Sequence, residues 1–353
     1  MSNRKQYVEI NNVKSELKSV NIGVPQGSIL GPLLFIIYVN DINNASKCFE
    51  SILYADDTSL NSTLTILRSN RGTLSSNINR ELNLINEWLL ANKLSLNITK
   101  TKYMVFRYKQ TPVSNIPNLE LHINHSMIEK VSEFDFLGIT IEETLSWKSH
   151  ISKISNKISK IVGLLSRTKR YLDTSVLIKI YNSLILSHLN YGVLCWGFEC
   201  QKLFKLQKKA IRTICKSKYN AHTDPLFKSL KTLKVVDIFK LQCMKFYQKY
   251  SQNKLPLYFS HMFQRALETE TIATRASTYR RPLPTNRATT KKTLRYEIPK
   301  LIFNLPPNLK SKLSTHSLWT IKTLGKSYFL DKYSTSCIKE HCYVCDRHLN
   351  LSS

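Results

Sequence analysis

Two adjacent carboxylates, Asp56 and Asp57, limit the possible folds of this chain more than any other feature of its sequence. They lie between two short runs of strand-forming residues, Ser51–Tyr54 and Thr58–Leu60, and this pattern predicts a β-hairpin. Neither carboxylate can turn into an apolar core without a metal or arginine partner, because burying an unpaired charge is costly. At a hairpin tip they could hold Mg²⁺, which prefers hard oxygen ligands. The alternative is an ordinary acidic turn, since Asp is common in turns.

A loop rich in glycine and proline precedes this hairpin. Residues 23–35 read GVPQGSILGPLLF, and Pro32 is positioned for the first turn of an apolar helix that runs to about Asn43. The glycines would let a ligand approach the backbone closely, and Gln26 could hydrogen-bond a base or sugar edge. Such a loop alone usually has only a structural role. When it is followed, after a helix-length spacer, by Tyr54-Ala55-Asp56-Asp57, the combination is a highly specific sign of a functional site.

The hydrophobic periodicity changes along the chain from mixed strands and helices to helices alone. A helical period over Thr73–Leu90 is followed by strand-like stretches at Leu94–Phe106 and Phe134–Ile141. From Trp147 onward, apolar stripes predict helices. We therefore predict an α+β fold, with an antiparallel sheet and helices first, then an all-α region and a basic helical tail.

Positive charge is concentrated in the second part of the chain. Lys and Arg total 52 against 24 Asp and Glu; residues 1–200 hold 22 basic and 16 acidic side chains, and residues 201–353 hold 30 and 8. This imbalance favours nucleic acid as the partner. No signal-peptide pattern and no apolar run of about 18 residues is present, so we expect no membrane partner. The scattered cysteines favour an intracellular compartment, and the sequence distinguishes neither nucleus from cytoplasm nor one oligomeric state from another.

The order of these motifs is similar to that in the reverse transcriptases of non-LTR retrotransposons, of the jockey-like kind. The resemblance implies an RNA-directed DNA polymerase that transfers nucleotides onto a primer. Mg²⁺ (or Mn²⁺) would be its cofactor, and an RNA template, a DNA primer and deoxynucleoside triphosphates its partners. By the same resemblance Asp56 is a catalytic metal ligand and Asp57 is its companion. The residues implied to contact template or nucleotide are Pro25, Gln26, Gly27, Ser28 and Tyr54.

Two further segments resemble parts of this family's palm domain. Residues 92–101 are similar to a motif whose lysine lies near the triphosphate and could protonate the leaving pyrophosphate. Lys100 is the expected catalytic lysine and Lys102 the alternative, while a solvated lysine at a strand edge is the competing interpretation. Residues 136–139 resemble the primer-grip strand, in which Leu137 would pack the hairpin and Gly138 would let the primer backbone pass.

The helices that begin at Trp147 resemble the family's thumb. Their cations could follow a duplex backbone or form the polar face of a helix on a basic protein. The cations in question are Lys153, Lys157, Lys160 and Arg167. The aromatic residues within 189–197 are expected in the thumb core. We predict a partial palm over residues 1–145, a helical thumb-like region over 146–265, and a basic linker with a helical, cysteine-containing tail over 266–353.

A cluster of cysteine and histidine lies near the C-terminus. Cys342 and Cys345 have the spacing of one zinc half-site, with Cys337 and His348 as the other candidate ligands. His341 is adjacent to Cys342, so the two cannot easily share one metal, and the spacing does not fit the zinc knuckle of some retroelements. We therefore do not expect zinc here.

The sequence departs from the family at its start. Family members place another metal-binding aspartate upstream of the Gly/Pro loop, whereas only Glu9 and Glu16 precede Gly23 here and neither lies in a matching motif. We therefore expect a truncated polymerase that is weak or inactive alone, since losing one of several cooperating ligands costs orders of magnitude in rate. The alternative is a non-catalytic nucleic-acid-binding remnant of a mobile element.

Overall fold

The computed structural model describes residues 4–20, 23–24, 27–63, 71–263 and 293–334. The chain divides into two compact units, Met1–Glu133 and Phe134–Ser353. Small sheets occur with helices in the first unit, and helices dominate the second, so the predicted α+β class is confirmed. No helix among the described residues combines the length and the apolar character needed to cross a membrane.

The first unit opens with two small antiparallel sheets. Their strands are β1 (Arg4–Gln6), β2 (Glu9–Ile10), β3 (Val13–Lys14) and β4 (Lys18–Val20). Strand β1 pairs with β4 and β2 pairs with β3. Asn11 and Asn12 join β2 to β3 with φ values of 50° and 64°, a backbone conformation that asparagine tolerates and that two-residue hairpins require. The segment is therefore one β-hairpin whose two arms are each interrupted, which gives two short two-stranded sheets.

Helix α1 (Leu30–Val39) precedes the hairpin formed by β5 (Glu50–Tyr54) and β6 (Asp57–Asn61). Pro32 lies in the first turn of α1, as predicted, where a missing backbone donor is harmless. The helix ends sooner than predicted, at Val39, and residues 42–44 form a separate 3-10 turn.

Helix α2 (Arg71–Ala91) supplies the core of the first unit. The remaining strands of the unit are β7 (Lys102–Tyr103), β8 (His122–Ile123), β9 (Ser126–Met127) and β10 (Glu129–Lys130). The buried core side chains are Ile78, Leu82, Leu119, Leu121, Ile123 and Ile128. The strand predicted over 94–106 is wrong except at β7, because residues 98–100 form a turn, and β7 pairs with β10 in parallel rather than antiparallel.

A short hairpin and a long series of helices make up the second unit. The hairpin strands are β11 (Glu133–Phe136) and β12 (Ile139–Glu142). The helices are α3 (Lys148–Thr168), α4 (Thr174–Ile180), α5 (Ser187–Asn190), α6 (Val193–Trp196), α7 (Gln201–Ile214), α8 (Asp224–Ser229), α9 (Val235–Ser251), α10 (Leu294–Phe303), α11 (Pro307–Thr315) and α12 (Leu318–Asp331). A π-helical turn, Tyr181–Leu186, joins α4 to α5. In the described part of the predicted helical tail, the structure has three helices, α10 to α12.

The apolar stripe predicted for the helix after Trp147, which comprises Ile151, Ile154, Ile158, Ile161 and Leu165, is confirmed on α3, with Ile161 only partly buried. Ile151, Ile154, Ile158 and Leu165 are buried in one large core, together with the fully buried ring of Trp196. Helices α3 and α7 pack closely in this core. Of the basic linker and tail predicted over residues 266–353, residues 266–292 and 335–353 lie outside the described residues.

Candidate active site and nucleic-acid surface

The predicted catalytic hairpin exists, and its tip is tighter than the sequence suggested. Tyr54 pairs directly with Asp57, so Ala55 and Asp56 alone form the turn and Asp57 is the first residue of β6. Ala55 has a φ of 53°, a left-handed conformation that costs an alanine roughly 1–2 kcal/mol. Asp56 and Asp57 are both exposed, and Tyr54 is 63% exposed. Backbone strain of this kind is typical of functional sites.

A buried carboxylate anchors the segment that leads into this hairpin. The Ser46 hydroxyl donates to Glu81 Oε2 at 2.8 Å, and the Lys47 backbone N–H donates to the same oxygen at 3.2 Å. The hydrogen bond from Ser46 is the main cause that lowers the pKa of Glu81. Asn43 Oδ1 adds a bond by accepting from the Ser51 N–H at 3.0 Å. Sequence reasoning missed Glu81, and nothing in its local pattern distinguishes it from other helical glutamates.

The Gly/Pro loop is described only in part. Pro25 and Gln26 lie outside the described residues. Gly27 is exposed with a φ of 78°, a conformation that favours glycine. The Ser28 hydroxyl accepts from the Gly31 N–H at 3.0 Å, so it is engaged at the start of α1.

Lys100 lies in an exposed turn that Asn97 organises. Its backbone N–H bonds to the Asn97 carbonyl at 3.1 Å and to Asn97 Oδ1 at 3.2 Å. Among the described residues, no hydrogen bond or ion pair joins Lys100 to Asp56 or Asp57. Lys102, the alternative, forms an ion pair with Glu129, so Lys100 has the freer ammonium group of the two.

The chemistry of the hairpin tip fits a metal ion that is shared with substrate. Mg²⁺ is commonly bound by one or two protein carboxylates together with water and substrate phosphates, and Asp56 and Asp57 supply two exposed carboxylates. In the described part of the chain, no group of three or more His, Cys, Asp or Glu side chains could hold a metal. The candidate zinc ligands Cys337, Cys342, Cys345 and His348 all lie outside the described residues.

In the second unit, the predicted primer-grip segment is a turn rather than a strand. Leu137 and Gly138 join β11 to β12 with φ values of 48° and 74°. The Tyr191 hydroxyl donates to the Leu137 carbonyl at 2.5 Å, and a Cβ on Gly138 would lie 3.6 Å from the Tyr191 ring. Tyr191 is 55% exposed, so its predicted place in the thumb core is wrong, and its role in holding this turn was missed.

A histidine with one bonded ring nitrogen lies beneath the same hairpin. The Thr140 N–H donates to His150 Nδ1 at 3.1 Å, which requires the tautomer with hydrogen on Nε2. Among the described residues, Nε2 is buried without a partner. Burial is the main cause that lowers the pKa of His150. The Thr140 hydroxyl also bonds to Asp135 at 2.5 Å and is the main cause that lowers the pKa of that carboxyl.

Helix α3 presents a continuous basic face. Lys153, Lys157, Lys160 and Arg167 are exposed, and their spacing puts them on one side of the helix over about 21 Å. The helix contains no acidic residue. Lys153 is held 3.0 Å from Asp135 of β11, so the basic face begins beside the β11–β12 hairpin.

Comparison with known proteins shows which part of this chain matches a known family. Residues 2–141 match the family model described as reverse transcriptase (RNA-dependent DNA polymerase). The matched residues include the whole β5–β6 hairpin with Asp56 and Asp57. These residues are a reverse transcriptase domain segment.

Similar proteins place the chain among mobile-element sequences. It is 26% identical over 262 residues to the RNA-directed DNA polymerase from mobile element jockey of Drosophila funebris, covering 70% of this chain and 27% of the relative. It is 24% identical over 267 residues to the probable RNA-directed DNA polymerase from transposon X-element of Drosophila melanogaster, covering 72% and 28%. The chain is thus related to the reverse transcriptases of non-LTR retrotransposons, and it spans about a quarter of the length of these relatives.

Proposed function

We propose that this chain provides the metal-binding hairpin and the thumb-like helices of an RNA-directed DNA polymerase. The observation that carries the proposal is the pair of exposed carboxylates, Asp56 and Asp57, at a strained two-residue turn inside the segment that matches the reverse transcriptase family. Its substrates would be deoxynucleoside triphosphates, with an RNA template and a DNA primer.

Each candidate site residue of the first unit has a defined role in this proposal. Asp56 and Asp57 bind Mg²⁺ or Mn²⁺, and a bound ion would neutralise charge that develops on the reacting phosphate. Tyr54 lies on the same face of the hairpin as Asp57, since directly paired residues of antiparallel strands share a face, and it supports the nucleotide. Lys100 protonates the leaving pyrophosphate, and the Pro25–Ser28 loop contacts template and nucleotide.

The second unit would hold the nucleic acid by shape and charge. The Leu137–Gly138 turn contacts the primer backbone, and the basic face of α3 contacts phosphates of the duplex. Phosphate contacts need positioned cations rather than specific bases, which fits four cations on a helix without acidic residues. Residues 1–145 would then act as the partial palm and 146–265 as the thumb.

Primer extension with Mg²⁺ tests the polymerase proposal. The chain is assayed alone and with the remaining reverse transcriptase residues of a jockey relative supplied as a separate polypeptide. Asp56→Asn should reduce extension by at least about 100-fold, because it removes one ligand from a cooperating set. Asp41→Asn changes another exposed aspartate of the same unit and should leave the rate unchanged. Equal rates for Asp56→Asn and wild type would refute the role of Asp56.

A second candidate function is nucleic-acid binding without catalysis. The absence of a third metal-ligating side chain near Asp56 and Asp57 in the described residues favours it. Binding of a primer–template without extension in either arm of the assay would support this candidate. Binding should fall steeply with salt, because each phosphate contact releases counterions.

A further inference from the structure

We propose that helices α9 and α12 carry a separate binding site for single-stranded nucleic acid, in which Trp319 stacks on a base and neighbouring lysines contact the phosphates. This site shares no residue with the β5–β6 hairpin or with the basic face of α3. It does not depend on polymerase activity.

Trp319 is the first reason for this proposal. It lies in the first turn of α12 and is 73% exposed, whereas Trp196 is fully buried. The helix buries Ile321, Gly325 and Phe329 against the core, so Trp319 lies away from the buried side. No ring stacking or cation contact to Trp319 occurs among the described residues. A large aromatic surface left open in this way is available to a ligand.

Lysines flank this tryptophan on its own helix. Lys322 and Lys326 follow Trp319 by three and seven residues, and both are exposed. Positions with this spacing lie on one side of a helix. The exposed side of α12 therefore presents an aromatic ring followed by two cations, the combination that binds single strands in many proteins.

Helix α9 adds further cations at the same level. It runs antiparallel to α12, because Gln248 near its end donates to the His316 carbonyl at 2.6 Å, just before α12 begins. Gly325, farther along α12, faces Leu241, which comes earlier on α9; a Cβ on Gly325 would lie 2.6 Å from Leu241 Cδ1. Lys245 lies between these two contacts, and its neighbour Lys249 lies one turn nearer the start of α12. The two helices thus bring Lys245 close enough to Lys322 for their charges to interact, and Lys249 lies next to Lys245 on α9.

The charges of these lysines are not neutralised by the described residues. Burial is the first cause that lowers the pKa of Lys245, and the charges of Lys322 and Lys249 add to it. Among the described residues, none of the four lysines forms an ion pair. The acidic residue of α9, Asp237, is already engaged by Lys240 and Tyr333. Like charges held together without counter-charge favour a polyanion.

The open ring favours a single strand over a duplex. Base pairing and stacking hide the faces of bases inside a double helix, whereas an unpaired base can stack on an aromatic side chain. Phosphates spaced along the strand would then reach the lysines on α9 and α12. Either RNA or DNA offers this chemistry, so the test includes both.

Binding of labelled oligonucleotides to the full chain tests the proposal. The probes are a uridine 15-mer, a thymidine 15-mer and a 15-base-pair duplex, each titrated at several salt concentrations. Trp319→Leu should weaken binding of the single strands about ten-fold, the effect of losing one base–aromatic stack, and should change duplex binding much less. Trp319→Tyr keeps an aromatic face and should restore most of the affinity. The double variant Lys245→Gln/Lys322→Gln should reduce the salt dependence by about 1.4 in log–log slope.

Matched controls come from an exposed aromatic and an exposed lysine of the first unit. Tyr108→Leu and Lys109→Gln should leave the affinities unchanged, since both side chains are exposed outside the proposed site. Asp56→Asn should also bind single strands normally, which separates this proposal from the polymerase proposal. Affinity of Trp319→Leu within two-fold of wild type would overturn the site. Equal losses of affinity for the single strands and for the duplex would also overturn it, as would a lowered melting temperature of Trp319→Leu. A third contrary result would be quenching of Trp319 fluorescence by anionic phosphatidylserine vesicles but not by oligonucleotides.

Discussion

Glu81 offers the sharpest test of how the candidate catalytic hairpin is held. Its carboxylate lies on α2, is mostly buried, and accepts bonds from the Ser46 hydroxyl and the Lys47 N–H just before β5 begins. We expect Glu81→Gln and Glu81→Ala to loosen the β5–β6 hairpin while leaving the second unit intact. The effect should reach Asp56, because the anchored segment leads directly into the strand that precedes it.

The magnitude follows from the bonds that each variant loses. Hydrogen bonds to a charged acceptor contribute about 1.5–3 kcal/mol and neutral ones about 0.5–1.5 kcal/mol. Glu81→Gln keeps an oxygen acceptor but loses the charge, so each of the two bonds should weaken by about 1–1.5 kcal/mol and the hairpin should lose about 2–3 kcal/mol. Glu81→Ala removes the acceptor and the buried side-chain stem, so about 2–4 kcal/mol should be lost.

Amide hydrogen exchange of residues 50–61 measures this effect directly. A loss of 1.4 kcal/mol corresponds to about ten-fold faster exchange, so Glu81→Ala should exchange roughly 30-fold to 1,000-fold faster in this segment. Glu87→Gln, at an exposed position of the same helix, is the control. Because the folded pKa of Glu81 is lowered, its stabilisation is present at neutral pH and is lost as pH falls below about 4. Unchanged exchange in Glu81→Ala would refute the anchoring role.

Three further predictions concern the second unit. Gly197→Ala should lower its stability by about 1–3 kcal/mol in thermal unfolding, since the new Cβ would lie 2.4 Å from the Phe239 ring; an unchanged melting temperature would contradict this packing. Tyr191→Phe should remove about 0.5–1.5 kcal/mol of protection from the Leu137 turn in hydrogen exchange, through the lost hydroxyl bond, whereas wild-type protection would show that the bond is dispensable. The lowered pKa of His150 predicts that the second unit loses stability as pH falls below about 6.5. Denaturant titrations should show a smaller loss of unfolding free energy in His150→Gln than in wild type. Equal losses in the two proteins would exclude His150 as a cause.

Much of the candidate active site could be predicted from the sequence because its signals are local. Strand-forming residues on both sides of Asp56 and Asp57 were sufficient to predict a hairpin, and the structure placed the turn within one residue of the predicted position. The apolar period of α3 identified its buried side and, by exclusion, its basic face. Such patterns depend on neighbours three or four positions away, so they are readable without any tertiary contact.

The contacts that hold these elements in place could not be predicted from local sequence patterns. Ser46 and Glu81 are 35 positions apart, and Leu137 and Tyr191 are 54 apart. A single polar contact between distant residues produces no periodic pattern, so neither could be predicted. Leu137 was placed in a strand for the same reason, since a leucine with positive φ is not signalled by composition and is held here by a bond from Tyr191.

The sequence by itself determined which side of each helix is apolar and where its charges lie. Only the tertiary structure decided which helices become neighbours. Lys322 lies beside Lys245 because Gly325 leaves room for Leu241 and Met244 where α9 and α12 pack. Shape complementarity between distant segments sets such a pairing. The hydrophobic periodicity of either helix alone does not predict it.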